Sequence, residues 1–430
     1  MGAYPLEFMF FSEKINYRIS EYVASGHPDK IADQVSDALL DAYLLKDCYI
    51  RTAIECLISN NTLIIAGEVN DKNVLSNAEI DTIARNTLRR LGYSKNLLNP
   101  DLIKISILIN SQSSEISNSV GNDLAGHKIT GAGDQCLVFG FATNETACYM
   151  PSAIYFAKSI INNVMCASKT KSIPFTLGPD GKSQVVVKYK NGNPIGVNSA
   201  LLSMQHPEGV ELNELRNMLL PYILSSFPSN FNISDNSVII NPSQSFIVGG
   251  PIADCGLTGR KTAVDTYGSC YYNGGGAFSG KDPSKLDRSG AYMARYIAKN
   301  IVAAGLVRSC GVRLGYAIGI SEPVYFDIET FGASAMLNKK IIEEIKNLVP
   351  LDPQGIVDYL GLLKPIYGRT AMNGHFGLDP DLDGGYSWER LDLSDSLAKK
   401  GLRGSVTMNV LPMQKKLSVV STKANNSDMK

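Results

Sequence analysis

The sequence predicts an α+β protein built from three structurally similar β-β-α-type domains in a pseudo-threefold arrangement. Three observations predict it. The chain has 430 residues, more than one ordinary core accommodates, so two or three domains are expected. One pattern recurs three times: a strand-like run, a short polar interruption, a second strand-like run, then a helix. The interruptions carry the asparagine, glycine and proline that suit hairpin turns.

The first unit runs from Arg51 to Val69, broken at Ser59-Asn60-Asn61, and leads into a helix over Glu79 to Leu91. The second runs from Gln184 to Met204, broken at Asn191-Gly192-Asn193-Pro194, with a helix over Glu211 to Leu224. The third runs from Arg313 to Glu329, broken near Ser321-Glu322-Pro323, with a helix over Lys339 to Leu348. Domains are therefore expected at 17–117, 129–248 and 249–393, with extensions at 1–16 and 413–430. Between the first two, 112–130 is polar, serine-rich and poorly periodic, which suits a lid or binding loop and equally a disordered linker.

Two further helices lie outside the repeats. Asp29 to Leu44 puts Ile31, Val35, Ala38, Leu39 and Ala42 on one face and Asp33, Asp37 and Asp41 on another. Asp287 to Ala304 puts Ala291, Ala294, Ala298 and Ile301 on one face, with Gly305 as its C-terminal stop.

Composition excludes several classes of function. Apolar residues make up 44% and charged residues 19%, as in an ordinary soluble protein. Lys and Arg number 41, as do Asp and Glu, and a net charge of zero argues against a nucleic-acid or membrane-surface role. No apolar run is long enough to span a bilayer. Met1 to Phe11 lacks the basic start of a signal peptide, so a cytoplasmic location is expected. The eight cysteines form no C-x-x-C pair and histidines number only four, which argues against zinc and for reduced, mostly buried thiols.

Four segments can carry chemistry. His27-Pro28-Asp29-Lys30 opens a helix, where free N–H groups and the dipole attract anions. Asp29 can serve as a Mg²⁺ carboxylate there, or the segment can be a cap alone. Gly131-Ala132-Gly133-Asp134-Gln135 is either a tight turn with an acidic contact or a poor dinucleotide fingerprint, since it lacks a third glycine. Gly249 to Lys261 alternates glycines with Asp254, Arg260 and Lys261, a mixture suited to phosphate. Gly274 to Arg288 holds four glycines, Lys281 and Lys285 one helical turn apart, and Asp282 and Asp287. Gly275 to Lys281 satisfies G-x-x-x-x-G-K, but Asp282 stands where a Walker A loop has Ser or Thr, so a P-loop phosphotransferase ranks below another phosphate-binding arrangement.

In combination these segments resemble the S-adenosylmethionine synthetase family. The resemblance rests on Ser25 to Gln34, Gly131 to Gln135, Asp254 to Lys261 and the Gly274 loop, in the family's order, and extends from about Arg18 to about Trp388. It implies three similar α+β domains, a dimer often paired into a tetramer, and active sites at the subunit interface. It implies the reaction of ATP, L-methionine and water to S-adenosylmethionine, phosphate and diphosphate, with two Mg²⁺ per site and activation by K⁺. It implies that His27, Lys182, Arg260, Lys261, Lys281 and Lys285 face the phosphates, and that Asp29 and Asp287 are Mg²⁺-side carboxylates. Glu55 matches the K⁺ ligand. Glu68, Gln112, Asp134, Asp254 and Lys285 fall on the methionine side, with Asp180, Ser245, Phe246 and Ala277 among the nucleotide contacts. A thioether carries no proton, so its attack needs no general base, and alignment plus charge stabilisation explains an inventory of lysine and aspartate.

The sequence departs from the family's pattern at Ser114, Glu115 and Ser119 in the segment resembling its gate, and at Gly178, Ser245 and Asn60-Asn61. The altered segment keeps a catalytically silent, ATP-binding paralogue as the alternative.

Overall fold

A computed structural model describes residues 15–93, 95, 97–111, 131–231 and 233–400. Its strands are β1 (Ile15–Val23), β2 (Thr52–Ser59), β3 (Thr62–Val69), β4 (Lys104–Ser111), β5 (Cys136–Thr143), β6 (Gly181–Lys190), β7 (Asn193–Met204), β8 (Val238–Ile240), β9 (Gly256–Leu257), β10 (Ser309–Tyr316) and β11 (Tyr325–Glu329). Its α-helices are α1 (Pro28–Lys46), α2 (Asn77–Arg90), α3 (Ser152–Lys169), α4 (Leu212–Leu224), α5 (Thr262–Asp265), α6 (Leu286–Ala303), α7 (Ala335–Leu348), α8 (Pro353–Leu360), α9 (Gly368–Asn373) and α10 (Ser394–Lys399).

The strands form three open sheets, ordered β4-β3-β2-β9, β1-β6-β7-β8 and β11-β10-β5. Each centres on an antiparallel hairpin that the sequence pattern locates: β2-β3, β6-β7 and β10-β11. The first two turn as their asparagines suggest, with Asn60 at φ 50°, and Asn191 and Gly192 at 51° and 76°. The helix after each hairpin also forms, at α2, α4 and α7. Ser76 and Glu79 start α2 with a reciprocal capping box.

The repeats exchange strands. β1 pairs with β6, β5 with β10, and β9 with β2, all antiparallel. Each borrowed strand comes from sequence outside the repeat that receives it. The helix after each of two such strands covers a sheet: α3 lies on β1 and β6, and α6 on β5 and β10. Likewise α1 lies on β2 and β9. Each sheet thus has one face under a long helix. The opposite faces are open: Tyr17, Ile19, Leu108, Leu137, Ile239 and Tyr325 are exposed there.

Two helices bury charge beside their apolar faces. On α1, Asp33 and Asp37 are buried. Likewise α6 buries nearly its whole circumference, including Arg288, Arg295 and Lys299, because these cations are paired. Arg295 holds Glu389 by two bonds of 3.0 Å, and Lys299 reaches the same carboxylate at 2.7 Å. The thiols are all free, but only Cys56 and Cys310 are buried; Cys48, Cys166 and Cys255 are exposed.

Candidate active site

One side-chain group gathers at the start of α1. The end of β1 runs beside the start of β6, with Ala24 N–H on the Gly181 carbonyl at 2.8 Å and Val23 opposite Lys182. That pairing sets His27 close to Lys182. His27 caps the helix: its Nδ1 accepts the Asp29 N–H at 3.2 Å. The cap and the site are the same residue. Burial, then the ammonium groups of Lys261 and Lys182, push the imidazole down to about 4, so it is neutral. With Nδ1 accepting, the ring proton sits on Nε2 and offers one donor.

Asp29 is held from the far side. Its Oδ1 accepts the Leu257 N–H at 2.9 Å, and its Oδ2 meets Lys261 Nζ at 2.5 Å. Burial alone would raise this carboxyl, but Lys261 and the Leu257 N–H outweigh it and hold it below the usual range. Close approach makes this possible: a Cβ on Gly256 would lie 2.1 Å from the Pro28 carbonyl. Asp254 and Arg260 flank the same strand, exposed.

Asp180 Oδ2 accepts the Gly250 N–H at 2.8 Å, which fixes the loop carrying Ser245 and Phe246. Burial raises the Asp180 carboxyl, against the Gly250 N–H. Phe246 is half-buried, tied by its N–H to His206 Nε2 at 3.1 Å and by its carbonyl to the His206 N–H at 3.0 Å. Gln205 donates to the Ile247 carbonyl at 3.0 Å and accepts from Asp180 N at 3.3 Å. Sequence reasoning missed both positioning residues; the signal was a Gln-His pair directly after a strand.

A second group forms on the glycine-rich loop. Lys281 Nζ meets Asp287 Oδ2 at 2.5 Å, and Gly276 lies against that carboxylate, where a Cβ would come within 2.3 Å. Asp134 is exposed beside Cys136, whose thiol is pushed up to about 12 by burial and then by Asp287 and Asp134. Lys285 pairs with the buried Asp282 at 2.7 Å. Ala277 touches the position of Gly259, which joins this loop to the first group's strand.

This loop is not a Walker A cradle. Asp282 is a structural anchor, accepting from Thr52 N at 2.7 Å and Ser284 N at 2.9 Å. The Gly280 N–H is taken by Asp37 at 2.9 Å, and that of Gly275 by Asn273 at 3.2 Å. Its lysine side chains, more than its backbone, remain to meet phosphate.

Among the described residues, no hydrogen bond or ion pair joins the two groups directly. They are registered through α1, whose Asp29, Asp33, Asp37 and Asp41 recur every fourth residue. These accept the N–H of Leu257, of Gly259, of Gly280, and of Tyr367 with Gly368, at 2.7–2.9 Å. Arg288 completes the third rung, giving Asp37 two bonds of 2.8 and 2.9 Å and the Phe278 and Lys281 carbonyls 3.0 and 3.1 Å. The spacing was visible in sequence; that it is a buried spine was not.

Glu55 and Glu68 stand apart from both groups, on the open face of the first sheet, opposite Ala66 and Ala53. Ala53 also bridges Lys281, so this face adjoins the second group. Gln112 and the 112–130 segment lie outside the described residues. So do residues 1–14 and 401–430. Among the described residues no three His, Cys, Asp or Glu side chains cluster as a metal site. Isolated carboxylates such as Asp29 and Asp287 still fit Mg²⁺, which takes one or two carboxylates and completes its shell with phosphate and water. No helix among them is long and apolar enough to cross a membrane.

Three family models match consecutive stretches of the chain: the S-adenosylmethionine synthetase N-terminal domain at 16–114, central domain at 129–246 and C-terminal domain at 248–390. The S-adenosylmethionine synthase of Paramagnetospirillum magneticum is 43% identical over 88% of this chain and 97% of its own. That of Rhodospirillum centenum is 42% identical over 90% and 99%, and that of Paracoccus denitrificans 44% over 89% and 97%.

Proposed function

The chain belongs to the S-adenosylmethionine synthetase family, and from that premise we propose how its residues carry the reaction. The chain is a methionine adenosyltransferase: the sulfur of L-methionine attacks C5′ of ATP, and the released triphosphate is hydrolysed to phosphate and diphosphate. The observation that best supports the assignment of roles is the neutral His27 capping α1 with Lys182 and Lys261 beside it. His27 Nε2 donates to the departing triphosphate oxygen. Lys182, Arg260 and Lys261 neutralise its charge. Phe246 stacks on adenine, with Ser245, Asp180 and Asp254 at its margins. The Asp29 and Asp287 carboxylates would hold Mg²⁺, two per site, which would supply charge neutralisation for the phosphates.

The second group acts across a dimer interface. Lys281, Lys285, Asp287, Asp134 and Ala277 of one subunit close over the first group of the other. Two features support this. Among the described residues, no hydrogen bond or ion pair joins the groups to each other within the chain. Glu55 and Glu68 lie on a sheet face that carries an exposed Leu108 and, among the described residues, has no helix over it. Covering such a face by a second copy removes apolar surface from water. Glu55 then sits at the join as a K⁺ ligand, and Glu68 with Gln112 on the methionine side. The cyclic strand exchange supports a pseudo-threefold relation among units at 17–117, 129–248 and 249–393.

The test is incubation of purified protein with ATP, L-methionine, Mg²⁺ and K⁺, followed by mass spectrometry and assay of both phosphates. S-adenosylmethionine with phosphate and diphosphate, all absent without methionine, is expected. Tight ATP binding without product would favour the silent paralogue.

A further inference from the structure

Away from both groups, a cavity of about 320 Å³ opens between α3, the end of β1, α5 and the loop 374–379. Such a volume suits a small organic molecule. Much of its wall is apolar, with Met150, Ile154, Val264 and Phe376 contributing. One cation in it, Lys158, has no counter-charge among the described residues.

Lys158 projects from α3 into this wall. Its ammonium lies over the Tyr22 ring, 5.9 Å from the centroid, and pairs with no carboxylate among the described residues. The acids nearest in charge are committed elsewhere: Asp265 to Lys30 at 2.7 Å, and Glu389 to Arg295 and Lys299. Asp379 stands at the exposed rim. Burial pulls the Lys158 ammonium down to about 8, the cost of a cation without a counter-charge.

His375 is fully buried in the same wall. Arg288 Nε donates to the Tyr292 hydroxyl at 3.1 Å, and that hydroxyl meets His375 Nδ1 at 2.8 Å, so the imidazole closes the wall from behind. A cation on an apolar cavity calls for an anion carried by an apolar body.

We propose that this cavity is a second ligand site, for a small amphipathic carboxylate whose anionic end meets Lys158 and whose apolar body lies against Met150, Ile154, Val264 and Phe376. The occupant sits behind α5, which follows Lys261 in the chain, and outside the substrate groups.

Calorimetric titration of the full chain with octanoate, with octan-1-ol as the neutral control, tests it. Octanoate is expected to bind one to one and at least about tenfold more tightly than the alcohol, the scale of one charge-assisted contact. Lys158→Met should weaken octanoate by about tenfold or more while leaving the melting temperature no lower, since it removes a part-buried charge that has no ion-pair partner among the described residues. Lys158→Arg should stay within about threefold of wild type, and Lys261→Met should leave binding unchanged. Ala147→Trp, at an exposed position of the wall, should block binding without touching the lysine. Equal affinity in wild type and Lys158→Met, loss of binding in Lys261→Met, or no binding at millimolar octanoate would overturn the proposal.

Discussion

Two aspartates on α1, Asp29 and Asp37, make the same kind of contact and do different work. Each accepts a loop N–H and each meets a cation from the C-terminal half. Asp37 and Arg288 are wholly buried, and the guanidinium spends its remaining donors on two carbonyls and on Thr370 at 3.1 Å. Asp29 meets Lys261 through one bond, and the Lys261 side chain keeps 16% of its exposure. An ammonium has three donors, so Lys261 retains capacity for a phosphate where Arg288 has none. Saturation of the cation, more than the pairing itself, separates the structural rung from the reactive one.

The sharpest way to break this comparison is to remove each cation. Arg288→Met strands a buried carboxylate and should cost about 3–5 kcal/mol of stability, read as a lower urea midpoint, with activity falling because the glycine loop loses its anchor. Lys261→Met should leave the urea midpoint nearly unchanged while turnover collapses. Comparable midpoints for the two variants would erase the distinction. Next in size, Lys281→Met should add about 2.7–4 kcal/mol to the barrier with the fold intact, the scale for losing one charge stabiliser. Turnover within a few-fold of wild type, in a folded protein, would remove Lys281 from the reaction.

The hairpins and their following helices were legible because their signals are local: alternation, asparagine turns, the Ser76–Glu79 box. The borrowed strands were not. β9 has only two residues, too short for any periodicity, and its partner β2 lies far earlier in the chain, as β6 and β10 lie far after β1 and β5. The segments holding His27, Asp29, Lys261 and Lys281 were legible from residue type alone. What escaped was what holds them: His206 and Gln205 under Phe246, and Asp33 and Asp37 beneath the loops. A buried aspartate looks like a surface one until its N–H donors, distant in sequence, are known. Asp282 reads as a defect in a Walker loop and proves to be that loop's anchor.

The last rung of α1 and the anchor of the glycine loop extend the comparison to pH. Asp41 accepts two N–H groups but has no paired cation among the described residues, and burial raises its carboxyl from 3.8 to about 6. The folded state then binds the proton more tightly, so this group's contribution to stability falls as pH rises from about 4 to 6, by about 3 kcal/mol. In Asp41→Asn that decline should shrink, though not vanish, because Asp265 is likewise raised to about 6. A decline of unchanged depth would clear Asp41.

Asp282 has the opposite sign. Burial would raise it, but Lys285 and Arg51 outweigh burial and hold it at about 2, against 3.8 when unfolded. Its stabilisation is present above pH 4 and is lost as pH falls from about 4 to 2, a loss of about 2 kcal/mol. Unfolding free energies of wild type and Asp282→Asn, measured across both windows, should converge in acid and diverge above pH 4. Parallel curves below pH 4 would mean that Asp282 holds the loop through its N–H donors alone. The ion pair with Lys285 would then be free to open for substrate, which would move this contact from the structural side of the comparison to the reactive one.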